Sequence, residues 1–305
     1  MPYLDLPTHR LHYRIDGDAS AADKPWLTFC NSLGTDLHMW DAQVAGLSGS
    51  FRILRYDRRG HGKSSAPPPP YALADLGADV IALWDALGID RTHFCGLSIG
   101  GLTGQWLGVH AAARLDRIAV CATAARIGTP ESWNARIEDV RANGLETLVS
   151  ATAERWFTPD FRAAHPDAVK AILDSFAATS IDGYAGCCAA LAGADLRGEI
   201  AAIEAPLLAV SGKDDPVCPP ADLAAIADAA KAAGNSVAAV AGDIVDCETM
   251  FAAKALLFDR ILQPGDTAVI FGNATALAER AGTINYEVVC APRGRTQRAY
   301  RGSER

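Results

Sequence analysis

Apolar runs of strand length alternate with stretches of helical periodicity along most of this chain, and few architectures accommodate that order. "RLHYRIDG" alternates with period two, while "PWLTFCNSLG" and "FRILRYDRRG" are apolar runs that end in polar or glycine-rich loops. "DLGADVIALWDALGI" has helical spacing and begins at Asp75, a residue type suited to capping. "THFCGLSIGG" reads as a strand entering a tight turn, "LTGQWLGVHAAARL" as the helix after it and "RIAVCATAA" as the next strand. After an interval the order resumes with "APLLAVSGKDD" (strand and loop), "PADLAAIADAAKAA" (helix), "SVAAVAGD" (strand) and "ETMFAAKALLFDRIL" (helix). A mostly parallel sheet with helices on both faces is the expectation. The interval 126–195 has no strand character and carries helical stretches such as "SWNARIEDVRANGLETLVSATAERWF". It reads as a helical lid inserted over the carboxyl ends of the strands, which leaves 1–125 and 196–262 as the core. Residues 263–305 form an appended tail with two short strands, "GDTAVIFGN" and "INYEVVCAP", and a basic end.

Composition narrows the function classes. The 305 residues are half apolar, enough for a full core, and the net charge of −8 argues against a general nucleic-acid binder. No window approaches the apolar length of a membrane span, and the first residues lack the pattern of a signal peptide. The eight cysteines show neither C-x-x-C pairs nor metal-ligand spacing, so no metal is expected. Most lie in apolar segments as small hydrophobes, which suits a soluble cytoplasmic protein.

The stretch "FCGLSIGGLTG" sets Ser98 in a G-x-S-x-G turn between a strand and a helix, the context in which a hydrolase presents a nucleophile. The alternative is a serine that only caps the helix. "NSLGTD" follows an earlier strand, where a second backbone N–H completes an oxyanion hole, so the N–H groups of Leu33 and Ile99 are the expected donors. "GKDDPVCPP" ends a later strand, where an orienting carboxylate belongs; Asp214 or Asp215 suits that role, or both shape a turn.

These residues resemble the 3-oxoadipate enol-lactonases of the α/β-hydrolase fold. "NSLGTDLHMWDAQ", "RYDRRGHGKSSAP", "FCGLSIGGLTGQWLG", "TAARIGTPESWNARI", "ERWFTPDFR" and "GYAGCCAALAGADLR" are all similar to segments of that family, over about residues 2–220. The resemblance implies hydrolysis of 3-oxoadipate enol-lactone to 3-oxoadipate, without a cofactor, by nucleophile Ser98 and acid Asp215. A small lactone bearing a carboxylate also needs an apolar pocket with one cationic anchor. Trp133 and Trp156 are candidate walls, and Arg126 or Arg155 the candidate anchor; either arginine is otherwise a solvated helix charge.

The resemblance also implies a catalytic histidine after the last strand of the core. Here "VAGD" places Asp243 at that position. The seven histidines are His9, His12, His38, His61, His93, His110 and His165, all in the amino-terminal part of the chain. Of these, His61 in "GHGKSS" and His38 in the oxyanion loop are the candidates for a substitute base. Asp243 itself, with an ordinary carboxylate pKa near 3.9, is a weak base for serine unless burial beside Asp215 raises it. The departure leaves two other readings, a non-catalytic relative that binds a small carboxylate or a partner, and a chimeric chain. The segment from about 263 to 302 resembles the carboxyl-terminal end of alanine racemases, but the barrel and cofactor lysine of those enzymes are absent, so a pyridoxal-phosphate enzyme is not expected.

Overall fold

Among the described residues, the alternation resolves into one sheet of eleven strands with helices packed against it. The computed structural model describes residues 2–18, 23–212, 215–234, 237–242, 268–271, 287–290 and 298–300. In chain order the first elements are β1 (Tyr3–Asp5), β2 (Arg10–Asp16), β3 (Trp26–Cys30), α1 (Asp41–Leu47), β4 (Arg52–Tyr56), α2 (Leu73–Ala86), β5 (Thr92–Leu97), α3 (Ile99–His110) and β6 (Leu115–Cys121). Five helices follow: α4 (Pro130–Asn143), α5 (Val149–Trp156), α6 (Pro159–Ala164), α7 (Pro166–Ala177) and α8 (Ile181–Gly193). The chain then returns to the sheet through β7 (Leu207–Gly212), α9 (Pro220–Ala232), β8 (Val237–Gly242), β9 (Ala268–Phe271), β10 (Glu287–Cys290) and β11 (Arg298–Tyr300).

The strand order is β1-β2-β4-β3-β5-β6-β7-β8-β9-β10-β11. Pairing is parallel from β4 through β3, β5, β6, β7 and β8 to β9, and antiparallel at both margins. Strands β3, β4 and β7 are buried almost throughout, as strands covered on both faces must be. The expected tail strands are present as β9 and β10, and they continue this sheet: β9 lies parallel beside β8. The helix expected over "ETMFAAKALLFDRIL" lies outside the described residues.

Two helix boundaries differ from the sequence expectation. Helix α2 starts at Leu73, two residues before Asp75, because Ala72 is the last extended residue. Asp75 therefore stands in the first turn, where its Oδ2 accepts the Ala72 N–H at 2.8 Å. Helix α3 begins directly after Ser98 and stops at His110, and a short 3-10 turn, Ala112–Arg114, fills the rest of the stretch.

The interval 126–195 is helical, as read from the sequence. The Thr129 side chain caps α4 with Pro130 in its first turn, and Gly144 at φ 79 ends it. Helices α7 and α8 dock on the loops that follow β3 and β4. A Cβ at Gly60 would collide with the Gly183 backbone, and the Ser175 hydroxyl donates to Asp36 Oδ2 at 2.8 Å. The Phe176 ring sits so close to Gly34 (φ 73) that no side chain fits there, and the Tyr184 ring lies beside it. Helices α7 and α8 thus rest on the loop that carries Leu33. Among the described residues no helix is long and apolar enough to cross a membrane.

Candidate active site

Ser98 adopts φ 58 and ψ −119, a conformation that costs a non-glycine residue about 1–3 kcal/mol. Three glycines explain how the turn is reached. A Cβ at Gly96 would strike the Gly100 carbonyl, one at Gly100 would strike the Cys30 carbonyl, and one at Gly101 would stand 2.8 Å from the Thr123 methyl. The turn is closed from β6, where Cys121 O accepts the Ser98 N–H at 2.8 Å. Ser98 precedes α3, yet its side chain makes no capping bond. Among the described residues its Oγ has no hydrogen-bond partner. The helix-capping alternative therefore does not describe this serine.

Parallel register sets the neighbouring loops. Cys30 at the end of β3 pairs with Gly96 of β5, so the loop holding Leu33 leaves the sheet beside the serine turn. Leu97 pairs with Cys121, Cys121 with Val210, and Gly212 with Gly242, which aligns the ends of β5, β6, β7 and β8. Asp215 follows β7, two strand spacings or about 10 Å from the end of β5. Its Oδ1 accepts the N–H groups of Val217 (2.8 Å) and Cys218 (3.0 Å). Asp215 does shape a turn, and that same turn fixes its carboxylate while Oδ2 has no bond among the described residues. Asp214 and Asp243 lie outside the described residues; in sequence, Asp243 directly follows the last residue of β8.

All seven histidines are described, and each is engaged. The His9 ring donates to Asp79 at 3.2 Å, His12 Nδ1 to Asp57 at 2.6 Å and His38 Nδ1 to Asp41 at 3.0 Å. His110 lies 3.4 Å from Glu199, His93 meets Phe51 edge to face, and His165 packs on Phe161. His61 is fully buried and donates from Nδ1 to Arg59 O at 3.1 Å. Burial, aided by the Arg58 charge, pushes its pKa down to about 3. An imidazole that resists protonation to that degree is a poor acceptor for a serine proton at neutral pH. None of these bonds or ring contacts is to Ser98.

The "DRRGHGKS" motif does structural work. Asp57 Oδ1 accepts the Leu37 N–H (2.8 Å) and Oδ2 the Lys63 N–H (2.9 Å), which ties the loops after β3 and β4 together. Arg59 forms a two-pronged pair with Asp79, both bonds at 2.7 Å.

In α4, Trp133 Nε1 donates to Ile127 O at 2.6 Å and its ring packs on Gly128. Trp156 stands edge to face with Phe176 at 5.7 Å. Both rings are half-buried against the core cluster that contains Phe176 and Tyr184. Arg126 is held by Asp195 at 3.5 Å, and Arg155 is exposed. The sequence reading does not single out Arg136, which is partly buried and lies near the Tyr184 phenol, itself pushed well above its ordinary pKa by burial. No carboxylate pairs with Arg136 among the described residues. Its signal in the sequence is position: Trp133, Arg136 and Val140 share one face of α4 at i, i+3 and i+7, so an arginine stands on an otherwise inward stripe.

Comparison with known proteins identifies the family. The sequence model described as "alpha/beta hydrolase fold" matches residues 25–239. The chain is similar to 3-oxoadipate enol-lactonase 2 of Acinetobacter baylyi, at 47% identity over 212 residues, covering 70% of this chain and 78% of that protein. It is also similar to 3-oxoadipate enol-lactonase 1 of the same organism, at 45% identity over 207 residues, 68% of this chain and 76% of that one. Among solved structures, the enol-lactonase from Burkholderia xenovorans LB400 superposes with a TM-score of 0.79 at 44% identity, covering 85% of this chain and 98% of that chain.

Proposed function

Because the chain belongs to the alpha/beta hydrolase fold family, and its curated relatives support a lactone or ester hydrolase, we propose that it opens 3-oxoadipate enol-lactone to 3-oxoadipate with Ser98 as nucleophile. The observation that carries this reading is Ser98 itself, held at φ 58 between β5 and α3 with a hydroxyl that caps nothing. Ser98 Oγ attacks the lactone carbonyl, and the N–H groups of Leu33 and Ile99 receive the developing oxyanion. The ring C–O bond breaks to release an enol, which becomes the ketone, and water then frees the acyl group from the serine. In this reading Asp215 is the orienting acid, and Asp243, which follows β8 in sequence, is the residue expected to accept the proton.

The anchor for the substrate carboxylate is Arg136 in this reading. Arg126 shares the Asp195 carboxylate with Arg197, and Arg155 is exposed, whereas Arg136 is partly buried beside Tyr184, whose ring packs on the oxyanion loop. Trp133 and Trp156 serve as walls. The substrate is a small lactone, the site is reached from water, and the protein works in the cytoplasm.

The test is loss of enol-lactone absorbance with the parent chain and Ser98→Ala. Turnover above the uncatalysed rate that disappears in Ser98→Ala is expected; equal rates would sink the reading. Arg136→Ala should raise KM for the lactone at least about 10-fold and leave a neutral ester unaffected, as loss of a charge-assisted anchor requires. The engagement of all seven histidines favours a second reading, a carboxylate-binding relative without turnover. Tight binding of 3-oxoadipate with no Ser98-dependent hydrolysis would support it.

A further inference from the structure

A trans peptide points its N–H and C=O in opposite directions, so a group that holds the carbonyl from behind also aims the N–H in front. Both N–H groups assigned to the oxyanion belong to peptides held in this way. In the Ser32–Leu33 peptide, Ser32 O accepts from Arg58 Nη1 at 3.3 Å and from the Thr35 hydroxyl at 3.0 Å. The preceding carbonyl, Asn31 O, accepts from Arg58 Nη2 at 2.7 Å. In the Ser98–Ile99 peptide, Ser98 O accepts from the Thr123 hydroxyl at 2.8 Å and from the Leu102 N–H at 2.9 Å.

Arg58 is 1% exposed and Thr123 0% exposed. Arg58 brings a full charge into the interior with no carboxylate in ion-pair range among the described residues. Its other contact is Cys30 Sγ at 3.3 Å, and its Nε has no partner. A buried cation without a counter-ion is costly, so its retention calls for a return. The next residue, Arg59, shows the contrast: it is buried against Asp79 in a complete pair. What Arg58 obtains instead is two consecutive carbonyls of the oxyanion loop. A charge-assisted donor fixes them more firmly than a neutral one and polarises the peptides it holds, which strengthens their N–H groups as donors.

We propose that Arg58 and Thr123 are the positioning residues of the oxyanion hole, each holding from behind the peptide whose N–H meets the developing charge. The proposal rests on the reading of Ser98 as nucleophile. Neither residue touches substrate in this account.

The test is phosphonylation of the full chain by a 4-nitrophenyl alkylphosphonate. Ser98 Oγ bonds to phosphorus as the P–O(aryl) bond breaks, nitrophenolate leaves with the electron pair, and the serine proton passes to solvent. The phosphoryl oxygen occupies the oxyanion position, so the limiting rate reads the aim of the two donors while the half-saturating concentration reads ground-state binding. Removing a whole donor costs about 10²–10³ in rate, and misdirecting one should cost about 10-fold. Arg58→Met and Thr123→Val are each expected to lower the limiting rate about 10-fold with half-saturation unchanged within about twofold, and Arg58→Lys and Thr123→Ser to recover most of the loss. Should Arg58→Met fail to fold, Arg58→Gln, which keeps a donor without the charge, and the near-isosteric Thr123→Val carry the test. Folded variants that react within twofold of a parent labelled on Ser98 overturn the positioning role and leave the nucleophile standing. A parent that gives no Ser98 adduct by mass spectrometry overturns both.

Discussion

Gly100→Ala tests how closely the serine turn and the oxyanion loop are coupled. A Cβ at this position collides with Cys30 O and stands 2.7 Å from Asn31 O, and both obstacles are backbone atoms at the end of β3. Restoring an ordinary carbon contact of about 3.5 Å to Asn31 alone requires a shift of about 0.8 Å, and the Cys30 collision requires more. The amino end of α3 therefore moves away from β3 by about an ångström, which carries the Ile99 N–H away from the Leu33 loop. Misplacement on that scale costs about 10²-fold in rate, and overpacking against backbone costs about 1–3 kcal/mol of stability. At roughly 2–3 °C per kcal/mol for a chain of this size, the melting temperature should fall by about 2–9 °C. The assay is Ser98 phosphonylation together with a thermal melt, and Gly193→Ala is the control because a Cβ there meets nothing within 4 Å. The control should be neutral or slightly stabilised. A Gly100→Ala protein that matches the parent in both rate and melting temperature would show that α3 slides freely past the end of β3, which refutes the coupling.

His61 supplies a pH prediction: its folded pKa of about 3 lies below the usual value near 6.5, so between those limits the unfolded chain binds one more proton and stability falls as pH falls, by about 1.4 kcal/mol per unit. Urea unfolding of His61→Asn between pH 7.5 and 4.5 should show a pH dependence smaller than the parent's by about 2–3 kcal/mol, and equal dependences would contradict the buried neutral imidazole. Asp243→His should raise Ser98-dependent lactone hydrolysis at least about 10²-fold, since a histidine near pKa 6.5 takes the serine proton readily. A folded Asp243→His no faster than its parent would place the loop after β8 elsewhere than the relatives' pattern implies.

The legible parts of this protein were those whose signal is local. Period-two and apolar runs marked β2 to β8, and the glycines around Ser98 marked a turn that only small neighbours permit. The absence of strand character marked the helical interval 126–195, though not the docking of its helices on Gly34 and Gly60. Contacts between distant segments left no local trace. Nothing in "NSLGTD" announces that Arg58 lies beneath it, because that contact joins residues 26 or more positions apart through the packing of β3 on β4. Arg136 was legible in principle, as a charge on the inward stripe of α4. The sequence reading named only Arg126 and Arg155, and neither the contact of Arg126 with Asp195 nor the exposure of Arg155 is legible without the packing.

The histidines bear on the chemistry in a way that composition could not convey. A base for Ser98 needs a free lone pair, a pKa near the working pH and a place at the carboxyl ends of β5 to β8. His9 and His12 are committed to buried carboxylates, and His38 and His110 to exposed ones. His61 retains a free Nε2, yet the burial that leaves it free, beside Arg58, lowers its basicity by more than three pH units. Burial, aided by the same cation that holds the Asn31 and Ser32 carbonyls, thus removes this motif histidine from contention. The acceptor expected from the sequence is then the Asp243 carboxylate, and its strength depends on the company it keeps. One carboxylate beside Asp215 would be held protonated to higher pH by like charge. Activity should then rise with pH through a value above the ordinary carboxylate range, and Asp243→His should move that limb toward 6.5.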